Sequence, residues 1–151
     1  MDLTNEFVVA APVDATWSIL TDIERIAPCV PGFQLQEIEG SEYRGLMKVK
    51  LGAVVMTYAS TVQFVEKDDE ARRVVMKGGG RETKGQGNVS ATIVSTLEPD
   101  GDRTKVTVAT SLDVTGRVAG FGRGILADVS NRLVDQFVKC IEDKILAGEH
   151  T

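Results

Sequence analysis

The feature that most constrains the fold is a long amphipathic helical pattern near the end of the chain, over residues 116 to 146. Apolar residues recur at every fourth position of this segment, so one face is expected to be apolar for roughly seven turns of helix. These residues are Phe121, Ile125, Val129, Leu133, Phe137, Ile141 and Ile145. Such a face must be covered, and the only partner that the chain offers is the strand-like sequence before it. We therefore expect the helix to pack on a sheet.

Patterns with a period of two fill most of the preceding sequence. A first strand over residues 3–9 is followed by two short helices, the first opened by Pro12 and the second ended by Pro28. Further period-two runs cover residues 33–39, 42–51, 54–66, 72–78, 88–98 and 105–114. The short turns between them are typical of an antiparallel meander. The sequence thus predicts an α+β fold with a curved seven-stranded antiparallel sheet, two short helices after the first strand, and the long C-terminal helix laid across the apolar face of the sheet.

Composition limits the possible functions. With 151 residues, 42% of them hydrophobic, the chain is expected to form one domain, at residues 1–147, followed by a C-terminal tail at 148–151. His150 is the only histidine, so histidine-based catalytic triads and zinc sites are excluded from the body of the domain. We expect no catalytic residue and no metal site. A net charge of −5 argues against nucleic-acid binding.

Two further expectations concern the cysteines and the compartment. Cys29 and Cys140 lie far apart and follow no paired-cysteine spacing, so we interpret them as small apolar residues rather than as a redox pair or metal ligands. No run approaches the ~18 apolar residues of a spanning helix, and the first residues do not match a signal peptide. The expected compartment is the cytoplasm.

The turns of the predicted meander differ in chemistry between the two ends of the sheet. One set, at residues 39–42, 67–70 and 98–102, is tight and acidic, whereas the other set is rich in glycine and basic residues. We expect the second end to be the mouth of an internal cavity, with a mobile rim facing an anionic membrane, where each Lys or Arg contributes about 1 kcal/mol. The rim residues are Gly78, Gly79, Gly80, Arg81, Lys84, Gly116, Arg117, Gly120 and Arg123. The alternative is that the glycines only form turns and let the helix pack closely.

Four short elements of the sequence form a characteristic combination. They are Ala11-Pro12 with Trp17, Leu20 and Asp22; Ala27-Pro28-Cys29-Val30-Pro31-Gly32; Glu42-Tyr43-Arg44-Gly45 with Lys48-Val49-Lys50 and Gly52; and Gly78-x-Gly80-Arg81. Together they resemble the carbon monoxide dehydrogenase G-subunit family, which belongs to the helix-grip superfamily with START, Bet v 1-like and polyketide-cyclase domains. The resemblance implies a helix-grip fold. It also implies an accessory protein of molybdenum-containing carbon monoxide dehydrogenase, without a part in the chemical step, at the inner face of the cell membrane.

Joined with the predicted cavity, the resemblance leads to a specific hypothesis. The protein is expected not to be an enzyme, to carry no covalent cofactor, and to bind a respiratory quinone such as menaquinone, or another isoprenoid lipid. A tail burying several hundred Å² would gain on the order of 10 kcal/mol gross, at ~25 cal/mol per Å². The expected lining residues are Trp17, Phe33, Met47, Val49, Met56, Tyr58, Val74, Met76, Ile93, Val108, Thr110, Leu112, Phe121, Ile125 and Val129. Two alternatives stay open: a ligand-free adaptor that recruits the dehydrogenase to the membrane, and a polyketide cyclase-like enzyme.

Overall fold

The computed structural model describes residues 1–147, and its elements follow the predicted order. The strands are β1 (Asp2–Val9), β2 (Phe33–Glu39), β3 (Glu42–Leu51), β4 (Val54–Asp68), β5 (Arg73–Glu82), β6 (Asn88–Asp100) and β7 (Arg103–Val114). The helices are α1 (Val13–Leu20), α2 (Ile23–Ile26) and α3 (Gly122–Leu146). A first 3-10 segment, Ala27–Cys29, follows α2, and a second, Gly116–Phe121, leads into α3.

All strands of the described chain join one antiparallel sheet, in the order β1-β7-β6-β5-β4-β3-β2. Strands β2 to β7 form the meander, and β1 returns to pair with β7, so that Phe7 lies opposite Val106. The pairing shifts register between Leu35 and Glu37 in β2 and between Phe64 and Glu66 in β4. Such irregularities bend a strand and increase its twist. The prediction of a seven-stranded antiparallel sheet with two short helices and a long C-terminal helix is confirmed.

Buried apolar side chains of residues 1–147 form two clusters instead of one continuous core. The first cluster contains Val9, Ala11, Trp17, Ile19, Leu20, Ile26, Cys29, Val74, Leu97, Val106 and Ile141. The second cluster contains Leu51, Met56, Tyr58, Val118 and Leu126. A small domain usually packs one contiguous core, so this division indicates unfilled space between the two clusters.

Strand β5 is longer than the sequence pattern predicts. The period-two run ends at Gly78, yet the strand continues to Glu82, so that Gly78, Gly79 and Gly80 lie within the sheet and not in a loop. A Cβ atom on Gly80 would come within 3.0 Å of the Cβ of Tyr58, which explains why this position is a glycine. Because glycines carry no side chain, they show no alternation, and the pattern could not reveal the extra length.

The face that α3 turns toward the sheet also differs from the predicted stripe. Its buried residues are Leu126 and Ile141, whereas Ile125 is 45% exposed. One turn of α-helix takes 3.6 residues, so a step of four overshoots a full turn by about 40° and an every-fourth stripe winds around the helix. The predicted apolar face is therefore wrong at Ile125, where Leu126 is the residue that turns inward. The other members of the predicted stripe do face the interior, namely Phe121, Val129, Leu133, Phe137, Ile141 and Ile145.

Cys29 and Cys140 form a disulfide bond, with their Cα atoms 5.4 Å apart. The interpretation of these residues as unpaired small apolar side chains is therefore wrong. The bond joins the end of the first 3-10 segment to the second half of α3, across a sequence separation of 111. Only the packing of α3 beside the early helices brings the two sulfurs together, so no local spacing could have indicated the pair.

Candidate ligand-binding cavity

A cavity of about 420 Å³ lies between the inner face of the sheet and α3. Most of its wall comes from alternate residues of the central strands, which point to the same face of a sheet. These are Met47 and Val49 of β3; Tyr58, Ser60 and Val62 of β4; Met76 and Gly78 of β5; Val89, Ala91 and Ile93 of β6; and Thr110, Leu112 and Val114 of β7. The period-two patterns of these strands thus place one row of each on the cavity.

The helices close the other side of the cavity. From α3 come Leu126, Val129, Ser130 and Leu133, and from the second 3-10 segment comes Val118. Among the described residues that line the cavity there are several hydroxyl groups but no charged side chain. The space therefore suits a mainly apolar molecule, since a charged group buried there would find no partner of opposite sign.

The structure brings many of the predicted lining residues together around this cavity. They are Phe33, Met47, Val49, Tyr58, Met76, Ile93, Thr110, Leu112 and Val129. That any of them contacts a ligand stays a prediction.

The other predicted lining residues lie away from the cavity. Trp17 and Val74 belong to the first core cluster, and Val108 packs against it. Met56 is 1% exposed within the second cluster, against which Phe121 packs. Ile125 is on the outer side of α3, where it is 45% exposed. Period and polarity identified the inner face of the strands, but they could not separate positions that fill the core from positions that border a void.

Sequence reasoning missed the contribution of α2 and the residues that follow it. Ile23, Ile26, Ala27 and Val30 all line the cavity. The first three have the spacing of one helical face, i, i+3 and i+4, and this signal is present in the sequence. The segment was too short for its amphipathic character to stand out beside the much longer C-terminal helix.

Trp17 has a structural role at the opposite end of the sheet. Its indole nitrogen donates a hydrogen bond to Oδ1 of Asp69, at 2.8 Å, in the turn between β4 and β5. The guanidinium of Arg72 lies over the indole ring, 5.8 Å from its centroid, and also pairs with Asp14 of α1. These contacts hold α1 against the acidic end of the sheet, so the indole is engaged in packing and not in the cavity wall.

Glu82 is the buried carboxylate closest to the glycine-rich end, and it organises the loop at residues 83–87. One of its oxygens accepts the backbone N–H of Thr57 at 3.1 Å, and the other accepts those of Lys84 at 2.6 Å and Gln86 at 3.4 Å. Burial raises the pKa of Glu82, but these three hydrogen bonds and the positive charge of Lys84 together lower it below its ordinary value of 4.5. The loop is thus fastened, contrary to the expectation that its glycines make it mobile.

Two of the glycines at this end serve close packing. A Cβ on Gly87 would collide with the carbonyl of Thr115, and one on Gly116 would collide with the carbonyl of Gln86. Both residues also have positive φ angles, of 124° and 81°. The loop at 83–87 and the second 3-10 segment therefore meet backbone to backbone. This supports the close-packing alternative for these two positions.

The basic residues predicted for the rim lie at this same end. Arg81 ends β5, Lys84 is in the following loop, Arg117 is in the second 3-10 segment, and Arg123 begins α3. All four side chains are exposed, and none forms an ion pair within residues 1–147. Gly120 is exposed beside them, whereas Gly78 and Gly79 line the cavity instead of its rim.

The seven-stranded sheet wrapped on α3 is a helix-grip fold, the fold of Bet v 1-like and polyketide-cyclase-like proteins. A conserved protein from Geobacillus kaustophilus is similar at 25% identity and a TM-score of 0.85, covering 100% of this chain and 98% of its own. Protein Ms6760 from Mycobacterium smegmatis is similar at 18% identity and a TM-score of 0.67, over 97% and 92% of the two chains. An aromatase/cyclase from Streptomyces sp. R1128 shares the fold at 16% identity and a TM-score of 0.63, over 95% and 92%.

A family model for CoxG, the G-subunit of carbon monoxide dehydrogenase, matches residues 6–146. The chain belongs to this family. A search of curated protein sequences gave no match. Family membership supports a role as an accessory of carbon monoxide dehydrogenase.

Two properties of the described residues bear on this role. None of the helices within 1–147 has both the length and the apolar character needed to cross a membrane. The same part of the chain holds no group of three or more His, Cys, Asp or Glu side chains that could bind a metal ion.

Proposed function

We propose that the protein binds a hydrophobic ligand, most simply a respiratory quinone such as menaquinone, and links carbon monoxide dehydrogenase to the cytoplasmic membrane. In this role it has no part in the chemical step. It carries the apolar molecule between the bilayer and the enzyme, at the inner face of the membrane. The observation that carries the proposal is the cavity of about 420 Å³, whose described lining holds no charged side chain.

Both the size and the chemistry of the cavity support a carrier. Its volume falls within the ~300–1,000 Å³ that is usual for small-molecule sites, and a solid-cored adaptor would need no such space. A ligand that hides about 400 Å² of apolar surface gains about 10 kcal/mol before the cost of ordering it. Water molecules would be held poorly in a cavity with this lining, since few polar groups are present to bind them.

The enzymatic alternative is favoured only by the fold shared with an aromatase/cyclase. The described lining offers the hydroxyls of Tyr58, Ser60, Thr61, Thr110 and Ser130, but no carboxylate, imidazole or amine. Acid-base catalysis near neutral pH generally depends on those missing groups. The lining therefore favours holding a molecule over converting it.

Native mass spectrometry of the protein purified from its own membranes tests the proposal. The expected result is an adduct with the mass of a quinone or another isoprenoid lipid, which is released by organic extraction and identified. Ala91, a small residue on the cavity wall, allows a matched comparison with Ala109, an exposed residue of β7. Ala91→Phe should fill part of the cavity and abolish the adduct, whereas Ala109→Phe adds the same bulk outside and should retain it.

The same measurement distinguishes the alternatives. A wild-type protein that repeatedly carries no lipid, but still recruits the dehydrogenase to membranes, would establish the ligand-free adaptor instead. Equal adduct levels in the two phenylalanine variants would place the ligand outside the cavity.

A further inference from the structure

Tyr58 carries a buried hydroxyl group without a hydrogen-bond partner. The residue lies on the cavity wall and is only 4% exposed. Its Oη atom has almost no accessible surface and forms no hydrogen bond within the described chain. Buried hydroxyls are nearly always paired, so an orphan at the edge of an apolar cavity indicates a partner that is not part of the protein.

Two polar residues next to Tyr58 are already engaged in hydrogen bonds. Ser60 donates its own hydroxyl to the main-chain carbonyl of Tyr58 at 3.2 Å. Glu82 is the residue directly opposite Tyr58 on β5, but its two oxygens accept the backbone N–H groups of Thr57, Lys84 and Gln86. Neither neighbour pairs with the phenol.

The state of the phenol and its surroundings suit it to donate a hydrogen bond. Burial, and then the negative charge of Glu82, raise the pKa of Tyr58 above its ordinary value of 10.0, so the hydroxyl keeps its proton at neutral pH. On the adjacent strand, Gly78 and Gly79 line the cavity with bare backbone. A wall without side chains gives a flat molecule room to lie against the sheet.

Tyr58 packs in the second core cluster together with Val118 and Leu126. Val118 belongs to the second 3-10 segment, and the Gly120 that follows it has no neighbour within 4 Å of where a Cβ would stand. The cavity extends from here to Ile26 of α2, which belongs to the first cluster.

We propose that Tyr58 is the polar subsite of the cavity, at which its hydroxyl donates a hydrogen bond to a carbonyl oxygen on a flat head group. Entry of the head group moves Val118 aside, and the apolar remainder of the ligand extends toward α2. The ligand class is therefore a planar carbonyl compound with a hydrocarbon tail, and not a hydrocarbon alone. This inference rests on the proposed ligand-binding function.

The test compares Tyr58→Phe, which keeps the ring and removes the hydroxyl, with Tyr43→Phe, which makes the same change in β3 at a residue that does not line the cavity. Transfer from neutral vesicles to each protein is measured for two probes, a prenylated naphthoquinone and the isoprenoid hydrocarbon squalene. We expect Tyr58→Phe to weaken quinone binding about tenfold, as for the loss of one buried hydrogen bond, and to leave squalene unaffected. Tyr43→Phe should bind both probes as the wild type does.

The outcomes separate this inference from the proposed function. If the wild type takes up neither probe, the ligand-binding function itself is wrong. If it takes up the quinone and Tyr58→Phe does so equally well, the polar subsite is wrong while the cavity function stands. Thermal unfolding of ligand-free Tyr58→Phe should occur at or above the wild-type temperature, because no hydrogen bond is lost. A lower temperature would assign the hydroxyl a structural role and overturn the subsite.

Discussion

The carboxylate of Glu82 shows how one residue can set the conformation of a loop. The residue is 3% exposed, and its carboxylate accepts backbone N–H groups from Thr57 of β4 and from Lys84 and Gln86 of the β5–β6 connection. Its folded pKa lies below the ordinary 4.5, so the ionised form is the one that the fold favours. This stabilisation is fully present above pH 4.5, and it is lost as the pH falls through the lower folded value.

We expect the loop at 83–87 to loosen in acid. Hydrogen exchange should show the amides of Lys84 and Gln86 losing protection below pH 4.5, while amides in the centre of the sheet keep theirs. In Glu82→Gln the protection of the loop amides should be lower than in the wild type above pH 4.5 and should not depend on pH, because the side chain no longer titrates and its NH₂ group cannot accept from an N–H. Glu98→Gln, at the other end of the sheet, is the control and should match the wild type. Constant protection of Lys84 and Gln86 across this pH range would contradict the assignment.

Helix α3 is attached to the rest of the domain at several points along its length. The disulfide from Cys29 fixes its second half, and the amide of Ala10 donates to Glu142 at 2.7 Å. Nearer the middle, the side chain of Asn5 donates to Asn131 at 2.7 Å, and Ser130 donates back to Asn5 at 3.3 Å. Within residues 1–147, the first turns of α3 pack on the second cluster through Leu126 and Val129. The second half of the helix is therefore held by a covalent bond and a hydrogen bond, and the half beside Tyr58 by apolar packing.

The disulfide should make a large contribution to stability. A cross-link that spans 111 residues restricts the unfolded chain, and the loop-entropy relation assigns it about 4–5 kcal/mol. We expect the double variant Cys29→Ser with Cys140→Ser to unfold at a clearly lower denaturant concentration than the oxidised wild type. Reductant should shift the wild type to the midpoint of the variant and leave the variant unchanged. Identical wild-type midpoints with and without reductant would show that the bond does not form.

The oxidised and the reduced protein also correspond to two kinds of cellular compartment. Cytoplasmic thiol pools keep most disulfides reduced, whereas oxidising compartments preserve them. The bond lies next to the cavity wall, since Ala27 and Val30, on either side of Cys29, both line the cavity.

The molecule as a whole has a net charge of −5, but its charges are unevenly distributed. Arg81, Lys84, Arg117 and Arg123 are grouped at the glycine-rich end, whereas the turns at the other end are acidic. This polarity supports a defined orientation on an anionic surface. Since each basic residue contributes about 1 kcal/mol near such a membrane, their combined loss should be readily measured.

Replacing these four residues by Gln should weaken binding to vesicles that contain anionic lipid at least tenfold at low salt. The matched control replaces Lys77, Arg103, Arg132 and Lys139, which changes the net charge equally but lies away from the glycine-rich end. It should bind more strongly than the rim variant. Equal binding by the two variants would show that no oriented membrane contact exists at this end.

The sequence predicted the fold more completely than the cavity. Alternation over long strands such as β7 is strong because each strand has one face toward the interior, and a helix as long as α3 can only be covered by the sheet. The part of β5 that contains the glycines was not predicted, since a residue without a side chain shows no preference for either face of the sheet. The pairing of Cys29 with Cys140 also escaped it, because it depends on the final position of α3.

The sequence predicted where the cavity lies, but not which individual residues border it. Met47, Val49 and Tyr58 were assigned to it from their strand register, and they do border it. Met56 shares that register but is 1% exposed and does not border the cavity. Whether an inward side chain meets a void or another side chain depends on small distances between elements. Those distances are set by tertiary packing and cannot be inferred from a single sequence.

The bond between Cys29 and Cys140 also divides the chain into a closed ring with two free ends. Strands β2 to β7 all lie within the ring, whereas β1 and α1 lie on the N-terminal free end. A protease that cuts once in any turn between these strands opens the ring without releasing a fragment. The same cut in reduced protein gives two separate polypeptides, so the number of bands after a single cut reports the state of the two sulfurs.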